Sequence, residues 1–250
     1  MQSLWGKLVR AGESLLGSPS LACAYCGGSA KRFAAKSLPL CGRCANHIPW
    51  IDTVACVHCG RADPCPDCVR RPRPLLTFSR SAVRYDERMK DWLAAYKYRG
   101  NERLRDLFAA MLHSAYRRHE KLYTGAGAVH CLTYVPVSGE RMEERGFNQA
   151  AQLAKGLGEK TGIPVVPLLR RSRDTAKQSY KSRSERLGDL AGAFVAEESG
   201  VNRILKNASR RPINIVIIDD VYTTGSTLHH CAETIRERAE ANVYGLTWAR

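Results

Sequence analysis

One stretch constrains the fold of this 250-residue chain more than any other. Residues 214–228 read Asn-Ile-Val-Ile-Ile-Asp-Asp-Val-Tyr-Thr-Thr-Gly-Ser-Thr-Leu. The β-branched run at 215–218 predicts a strand that is buried on both faces, as in a parallel α/β sheet. A helical pattern follows from residue 228 to about residue 239. The stretch therefore predicts a strand, a tight turn and a helix.

The turn between this strand and this helix predicts a phosphate site. Its polar residues are Asp219, Asp220, Thr223, Thr224, Gly225, Ser226 and Thr227. Ligands of open α/β sheets bind at the carboxyl ends of strands, where a helix N-terminus offers unpaired N–H groups to an anion. Gly225 lets the backbone approach closely, and the two carboxylates suit a sugar diol with a divalent cation nearby. Alternatively, the acidic pair merely ends a core strand and Ser226 or Thr227 caps the helix.

The same segment resembles the phosphoribosyl-pyrophosphate (PRPP) binding motif of type I phosphoribosyltransferases. That motif has four hydrophobic residues, two acidic residues, two apolar residues and then Thr-Thr-Gly-Ser-Thr, as found at 215–227. The resemblance implies that Asp219 and Asp220 hold the ribose hydroxyls, that residues 223–227 wrap the 5′-phosphate, and that Mg²⁺ accompanies PRPP.

Eight of the ten cysteines form four Cys-x-x-Cys turns. The turns are Cys23/Cys26, Cys41/Cys44, Cys56/Cys59 and Cys65/Cys68. Zinc prefers four soft ligands in a tetrahedron, so four turns predict two structural zinc ions. The simplest arrangement joins the first two turns and the last two, and an interleaved arrangement stays open. Cys131 and Cys231 are predicted to be packing residues.

A basic, proline-containing linker at residues 70–74 predicts the domain boundary. The predicted domains are residues 1–74, with a helix at 1–17 and the double zinc module, and residues 75–250, a phosphoribosyltransferase-like domain. The predicted fold class is α/β: a type I phosphoribosyltransferase-like parallel sheet flanked by helices, preceded by a small ribbon-like module with two four-cysteine sites.

The net charge and the distribution of apolar residues indicate which partners and which cellular location to expect. The formal net charge of +15 favours a polyanionic partner, either a nucleic acid or a phosphorylated small molecule. No apolar run reaches the length of a membrane span, and the start does not read as a secretory signal. We therefore expect a cytoplasmic protein without a transmembrane segment.

Cations and aromatic residues interleave in residues 80–99. Such a pattern can bind single-stranded nucleic acid, because bases stack on aromatic rings while phosphates contact the cations. Trp92 and Tyr96 are four residues apart on a predicted helix, which favours the core for both rings. Lys97 and Arg99 remain predicted anion contacts.

A second strand, predicted at 129–137, also runs into a small polar loop and then a helix. In type I phosphoribosyltransferases the corresponding loop binds the pyrophosphate of PRPP. By that resemblance the contacts here would come from Val137, Ser138 and Gly139, with charge supplied by Arg141 and Arg145.

A narrower pattern identifies a family. The string Val-Pro-Val-Ser-Gly-Glu-Arg-Met-Glu-Glu-Arg-Gly-Phe-Asn-Gln at 135–149 resembles the ComF family of competence proteins, whose members join a Cys-x-x-Cys module to a phosphoribosyltransferase domain. Residues 169–194 and 243–250 also resemble this family, apart from Tyr180, where leucine is usual. The basic segment 170–186 is predicted to be a mobile loop that closes over PRPP, or alternatively a charged surface helix. Its Arg170, Arg171 and Arg173 are further nucleic-acid candidates.

The family resemblance implies a function. A ComF-like protein would bind PRPP with Mg²⁺ and take part in the cytoplasmic handling of incoming single-stranded DNA during natural transformation, in contact with the DNA-uptake machinery at the inner face of the membrane. The alternative is an active phosphoribosyltransferase that acts on a nucleobase-like acceptor and has no direct DNA role. Catalysis would then rest on positioning and leaving-group stabilisation without a protein nucleophile.

Overall fold

A computed structural model describes residues 21–30, 38–69, 75–98, 103–172, 192–208 and 212–250. The predicted helix at 1–17, the linker at 70–74, most of the basic segment 170–186, and Arg99 and Arg173 lie outside these ranges. The chain divides into two compact units, Met1–Ile48 and Pro49–Arg250. This division falls before the predicted boundary at residue 74, which stays a prediction about folding domains.

The first unit is built around a short ribbon. Strand β1 (Leu21–Ala22) pairs antiparallel with β2 (Ser29–Ala30), and a tight turn that contains Cys23 and Cys26 connects them. A one-turn helix, α1 (Gly42–Ala45), carries Cys44 on its buried side.

A parallel four-stranded sheet forms the centre of the second unit. Its strands are β3 (Ser79–Val83), β4 (Cys131–Tyr134), β7 (Ile213–Val221) and β8 (Ala241–Ala249), in the order β3-β8-β7-β4. The central strand β7 is buried from Ile213 to Ile218, as its β-branched run predicts. Every neighbouring pair is parallel, so the carboxyl ends of the strands meet at one edge.

Helices flank this sheet, and the predicted fold class is confirmed. They are α3 (Glu87–Tyr98), α4 (Arg103–Thr124), α5 (Gly139–Arg145), α6 (Gln149–Thr161), α7 (Glu198–Asn207) and α8 (Ser226–Arg236), with α2 (Pro66–Val69) near the start of the unit and an antiparallel ribbon of β5 (Leu169–Arg171) and β6 (Phe194–Ala196). No helix in the described ranges combines the length and the apolarity that a membrane crossing requires.

Trp92 and Tyr96 of α3 belong to the core, as predicted. Trp92 is fully buried and Tyr96 is 2% exposed. The Tyr96 ring packs against Phe108 and Phe147 at centroid distances of 5.2 and 5.6 Å. These rings are therefore structural and are not available for base stacking.

The region after β4 differs from the sequence prediction. The strand ends at Tyr134, short of residue 137, where Pro136 cannot donate a ladder hydrogen bond. The predicted polar loop contains a short helix, α5, which stops at Gly146 because that glycine adopts a left-handed conformation with φ of 74°. Asn148 then caps α6 by accepting a hydrogen bond from the Ala151 N–H at 3.1 Å.

Candidate functional site

A pocket of ≈ 580 Å³ opens at the carboxyl ends of β4 and β7. The structure brings both predicted ligand loops to it. Pocket-lining residues from these loops are Val137, Ser138, Arg141, Arg145, Asp219, Asp220, Thr223, Thr224, Ser226 and Thr227. Gly139 and Gly225 lie within the same loops. Segments that are about eighty residues apart in sequence thus converge on one cavity, as parallel-strand geometry requires.

The acidic pair occupies the end of β7. Asp220 forms an ion pair with Lys97 of α3, and the two side chains are only 16% and 17% exposed. Burial and the neighbouring Asp220 charge raise the pKa of Asp219 above its usual range. Burial also opposes ionisation of Asp220, but the ammonium of Lys97 outweighs this effect and lowers its pKa. Lys97, a predicted nucleic-acid contact, is therefore part of this pocket.

The loop between β7 and α8 has the shape of an anion cradle. Gly225 has a φ of 80°, which L side chains rarely adopt, and α8 begins at the next residue. A Cβ at Gly225 would lie 2.7 Å from Cε1 of Tyr222 and closer still to the hydroxyl, so the loop has room only for glycine. The hydroxyls of Thr224 and Ser226 are hydrogen-bonded at 2.9 Å, and both residues line the pocket at the N-terminus of α8.

The opposite wall of the pocket holds a fixed guanidinium. Arg145 donates to Gln149 Oε1 at 3.0 Å and to the Tyr98 hydroxyl at 2.8 Å, and its guanidinium lies 5.1 Å from the Tyr98 ring centroid. Asn148 supports this wall by donating to the Val135 carbonyl at 3.0 Å. The sequence prediction did not assign Tyr85, Tyr98 and Asn148 to the site, although all three line the pocket. Asn148 lies in the family-like string at 135–149, and Tyr85 and Tyr98 lie in the interleaved stretch 80–99, but neither pattern indicates this pocket.

The two arginines of β5, Arg170 and Arg171, differ in whether they line the pocket. Arg171 lines the pocket, with its guanidinium 5.3 Å from the Phe194 ring centroid. Arg170 is exposed next to it. Arg171 thus lines the same pocket as the acidic pair, whereas Arg170 remains a predicted nucleic-acid contact.

The eight paired cysteines form two groups that fit tetrahedral metal sites. Cys23, Cys26, Cys41 and Cys44 form the first group, and Cys56, Cys59, Cys65 and Cys68 form the second, with all sulfur atoms of a group within 4.8 Å of one another. The sulfur–sulfur distance is 4.0 Å for Cys26–Cys41 and 3.5 Å for Cys59–Cys65. A zinc–sulfur length of 2.3 Å requires about 3.8 Å between ligands of a tetrahedron, so zinc fits both groups. The arrangement is the simplest predicted one.

Within each group, burial and neighbouring groups shift the pKa values of the thiols. Burial opposes ionisation of Cys23, but backbone N–H groups, led by that of Cys26, lower its pKa to about 6. Burial likewise opposes ionisation of Cys65, whose pKa is lowered to about 7, first by the Cys68 N–H. By contrast, burial raises the pKa of Cys59 to about 11, with the Arg250 charge acting in the opposite direction. Crowded thiols of this kind release protons when a metal binds.

The second group packs directly on the edge strand β3. The His58 carbonyl accepts a hydrogen bond from the Ser79 N–H at 2.6 Å, and the Val57 carbonyl accepts from Arg80 Nη1 at 2.9 Å. A Cβ at Gly60 would lie 2.5 Å from the Ser79 carbonyl oxygen, which shows how closely the two backbones approach. The second group is therefore part of the core of the sheet unit.

Comparison with curated proteins identifies the family. The competence protein ComFC of Bacillus subtilis (strain 168) is 35% identical over 211 residues, which are 81% of this chain and 80% of the relative. This chain belongs to the ComFC family of competence proteins. ComFC of Streptococcus pneumoniae (strain ATCC BAA-255 / R6) is 30% identical, over 82% of this chain and 84% of the relative. Competence protein F of Haemophilus influenzae (strain ATCC 51907 / DSM 11121 / KW20 / Rd) is 27% identical, over 90% of each chain.

The chain matches no protein-family model. A solved structure described as the allosteric regulatory enzyme of purine biosynthesis is 21% identical and has a TM-score of 0.29, over 54% of this chain and 25% of that chain.

Proposed function

We propose that this ComFC-family protein binds PRPP with Mg²⁺ in the pocket at β4 and β7 and takes part in the cytoplasmic handling of incoming single-stranded DNA. One observation carries the proposal for PRPP. The acidic pair, the Gly225 loop and the loop at residues 137–139 converge on one cavity, which offers polar partners both to a sugar diol and to phosphate groups.

Each part of the pocket has a chemical task in this proposal. Asp219 and Asp220 accept hydrogen bonds from the ribose hydroxyls, while the amides and hydroxyls of residues 223–227 donate to the 5′-phosphate. Ser138 and the backbone of residues 137–139 contact the pyrophosphate, with Arg141 and Arg145 supplying positive charge. Bound Mg²⁺ would offset the negative charge of the pyrophosphate. Lys97, which pairs with Asp220, holds that carboxylate ionised until the ligand arrives.

The best test is calorimetric titration of zinc-loaded protein with Mg²⁺ and PRPP. We expect Asp219→Asn/Asp220→Asn to weaken binding about 100-fold, because each lost charged hydrogen bond costs about 1.5 kcal/mol. Asp91→Asn is the control, since Asp91 is an exposed acid on α3. Equal affinity in the double variant and the wild type would contradict the assigned site.

The DNA role rests on family membership and on charge. The relatives are named competence proteins, and the chain carries a formal net charge of +15. Lys97 lies in the PRPP pocket, and the predicted contact Arg99 follows it closely in sequence. The proposal therefore places part of the DNA path beside the pocket, where PRPP and DNA would compete for Lys97.

Salt dependence of binding tests this DNA path. We expect the affinity for single-stranded oligonucleotide to fall steeply with salt, and Lys97→Gln/Arg99→Gln to reduce the slope of log K against log [salt] by about 1.4, at about 0.7 per phosphate contact. The slope comes from fluorescence anisotropy titrations at several salt concentrations. Arg236→Gln is the control. Arg236 is exposed on α8, and its substitution should leave the slope unchanged. A wild-type slope in the double variant would remove these two cations from the path.

The same preparations decide whether PRPP is consumed. Release of pyrophosphate from PRPP in the presence of a nucleobase, lost in Asp219→Asn/Asp220→Asn, would establish the phosphoribosyltransferase alternative. Binding without release across a panel of bases would favour PRPP as a ligand or regulator of DNA handling.

A further inference from the structure

Arg250 contacts Cys65 of the second four-cysteine group on one side and Tyr222 on the other. Tyr222 directly precedes residues 223–227, which we call the phosphate loop. The backbone of Arg250 is fixed at the strand ends, because its N–H donates to the Val83 carbonyl at 3.0 Å and its carbonyl accepts from the Tyr85 N–H at 2.7 Å. These two hydrogen bonds hold the residue at the edge of the sheet where the pocket opens. The backbone that carries the guanidinium is therefore fixed by the sheet.

The Arg250 guanidinium faces the cysteines on one side. Its Nη2 donates to Cys65 Sγ at 3.7 Å, within the range for a sulfur acceptor. Four thiolates around one zinc ion carry a net charge of about −2, which a neighbouring guanidinium partly neutralises. Within the described ranges, the buried Nε and Nη1 atoms of Arg250 have no hydrogen-bond partner. An arginine held in such a site is stable chiefly because of the thiolate charge beside it.

On its other side the same guanidinium lies over the Tyr222 ring, 4.2 Å from the centroid. Tyr222 is 4% exposed, and its hydroxyl fills the space where Gly225 would carry a Cβ. The ring thus extends from Arg250 to the glycine of the phosphate loop. The Tyr222 N–H also donates to the Ala249 carbonyl at 2.9 Å, next to Arg250.

We propose that Arg250 is a positioning residue that couples metal binding at the second four-cysteine group to ligand binding at the phosphate loop. Zinc thiolates hold the guanidinium, the guanidinium holds the Tyr222 ring, and the ring supports Gly225 in its left-handed conformation. By reciprocity, a phosphate ligand that fixes the loop raises the zinc affinity of this group, and with an unchanged zinc association rate it slows the loss of zinc. The ligand part of the proposal rests on the proposed PRPP site.

The first test needs no ligand. In Arg250→Met, which keeps an unbranched apolar stem, zinc transfer from the second group to a chromogenic chelator should be about tenfold faster, as for other partners of metal ligands. Hydrogen exchange of the amides at 222–228 should rise in the same variant. Arg250→Lys keeps the charge without the planar fork and should recover part of both effects. Arg236→Met is the matched control, since Arg236 donates to the Leu75 carbonyl and is exposed.

The second test uses Mg²⁺–PRPP as the probe. Saturating PRPP should slow zinc loss from the second group about tenfold in the wild type, a typical size for coupling between two sites, and should have no such effect in Arg250→Met. Zinc in the first group, identified by its absence in Cys23→Ser/Cys26→Ser, provides an internal control, since its release should not respond to PRPP.

The outcomes separate the two proposals. If wild-type protein binds no PRPP, the proposal that PRPP is the ligand is wrong. The zinc-release and hydrogen-exchange measurements on Arg250→Met still test the link, which is the coupling of the second four-cysteine group to the phosphate loop through Arg250. Normal zinc release and normal exchange at 222–228 in Arg250→Met would overturn the link. Equal slowing of zinc release by PRPP in Arg250→Met and the wild type would overturn it as well.

Discussion

Replacing Gly225 with valine should weaken the binding of Mg²⁺–PRPP by about 1,000-fold, because two strains of roughly 2 kcal/mol each act at one position. The first strain is the φ of 80°, which a β-branched residue tolerates poorly. The second is the overlap of any Cβ with the hydroxyl and ring of Tyr222, whose ring is buried under Arg250 and cannot simply rotate away. The loop must therefore open, and its amides turn away from the phosphate.

A second glycine provides the control for this experiment. Gly162 has a φ of 73° at the end of α6, and a Cβ there would meet no atom within 4 Å. Gly162→Val thus carries the same backbone strain without the overlap and lies in no ligand loop. Calorimetry should show wild-type PRPP affinity for Gly162→Val, with thermal unfolding measured for both variants. Similar losses of affinity in the two variants would mean that the effect is general destabilisation.

Loss of metal from the second four-cysteine group should lower the free energy of unfolding of the sheet unit by roughly 5 kcal/mol or more, because loss of a structural metal is among the few changes with so large a cost. In Cys59→Ser, metal analysis should find one zinc fewer per chain, and urea unfolding should move to lower concentration. We expect this large effect because the second group is packed into the core of the sheet unit. Cys59 is fully buried, and the turn around it is hydrogen-bonded to β3 through Ser79 and Arg80.

Two cysteine variants control for the substitution itself. Cys131 is fully buried in β4 and lies outside both metal groups, so Cys131→Ser should cost only the burial of a hydroxyl, about 1–3 kcal/mol, with zinc content unchanged. Cys41→Ser should remove the zinc of the first group, which belongs to the other compact unit, and leave the unfolding of the sheet unit near the wild type. A sheet unit that is equally stable with and without the second metal would contradict a structural role.

Much of the candidate site could be predicted because its signals are local in sequence. Strand β7 follows from a β-branched run, and the cradle follows from five adjacent small polar residues. The loop after β4 was placed correctly at the pocket, but its helix α5 was not predicted. Glu140, Arg141 and Glu144 make that segment as polar as a loop, and an exposed helix of seven residues has no buried face to give it an apolar period.

Other features depend on contacts between residues far apart in sequence. Lys97 was predicted as a nucleic-acid contact because it stands among cations and rings, yet in the fold it is paired with Asp220. Nothing near either residue in sequence indicates this pair, since a charged side chain on a helix usually faces solvent. Arg250 reaches Cys65 across 185 positions, which no local pattern could predict.

The sequence by itself determined the family, the buried strand, the acidic pair with its glycine loop, and the eight candidate metal ligands, because each of these is written in a short run of residue types. Only the tertiary structure decided which Cys-x-x-Cys turns share a site, that the second group packs on the sheet, and that Lys97, Tyr98 and Arg145 complete the pocket. The physical reason is that parallel strands bring the ends of distant segments to one edge. Their side chains then select partners by distance and burial, whatever their separation along the chain.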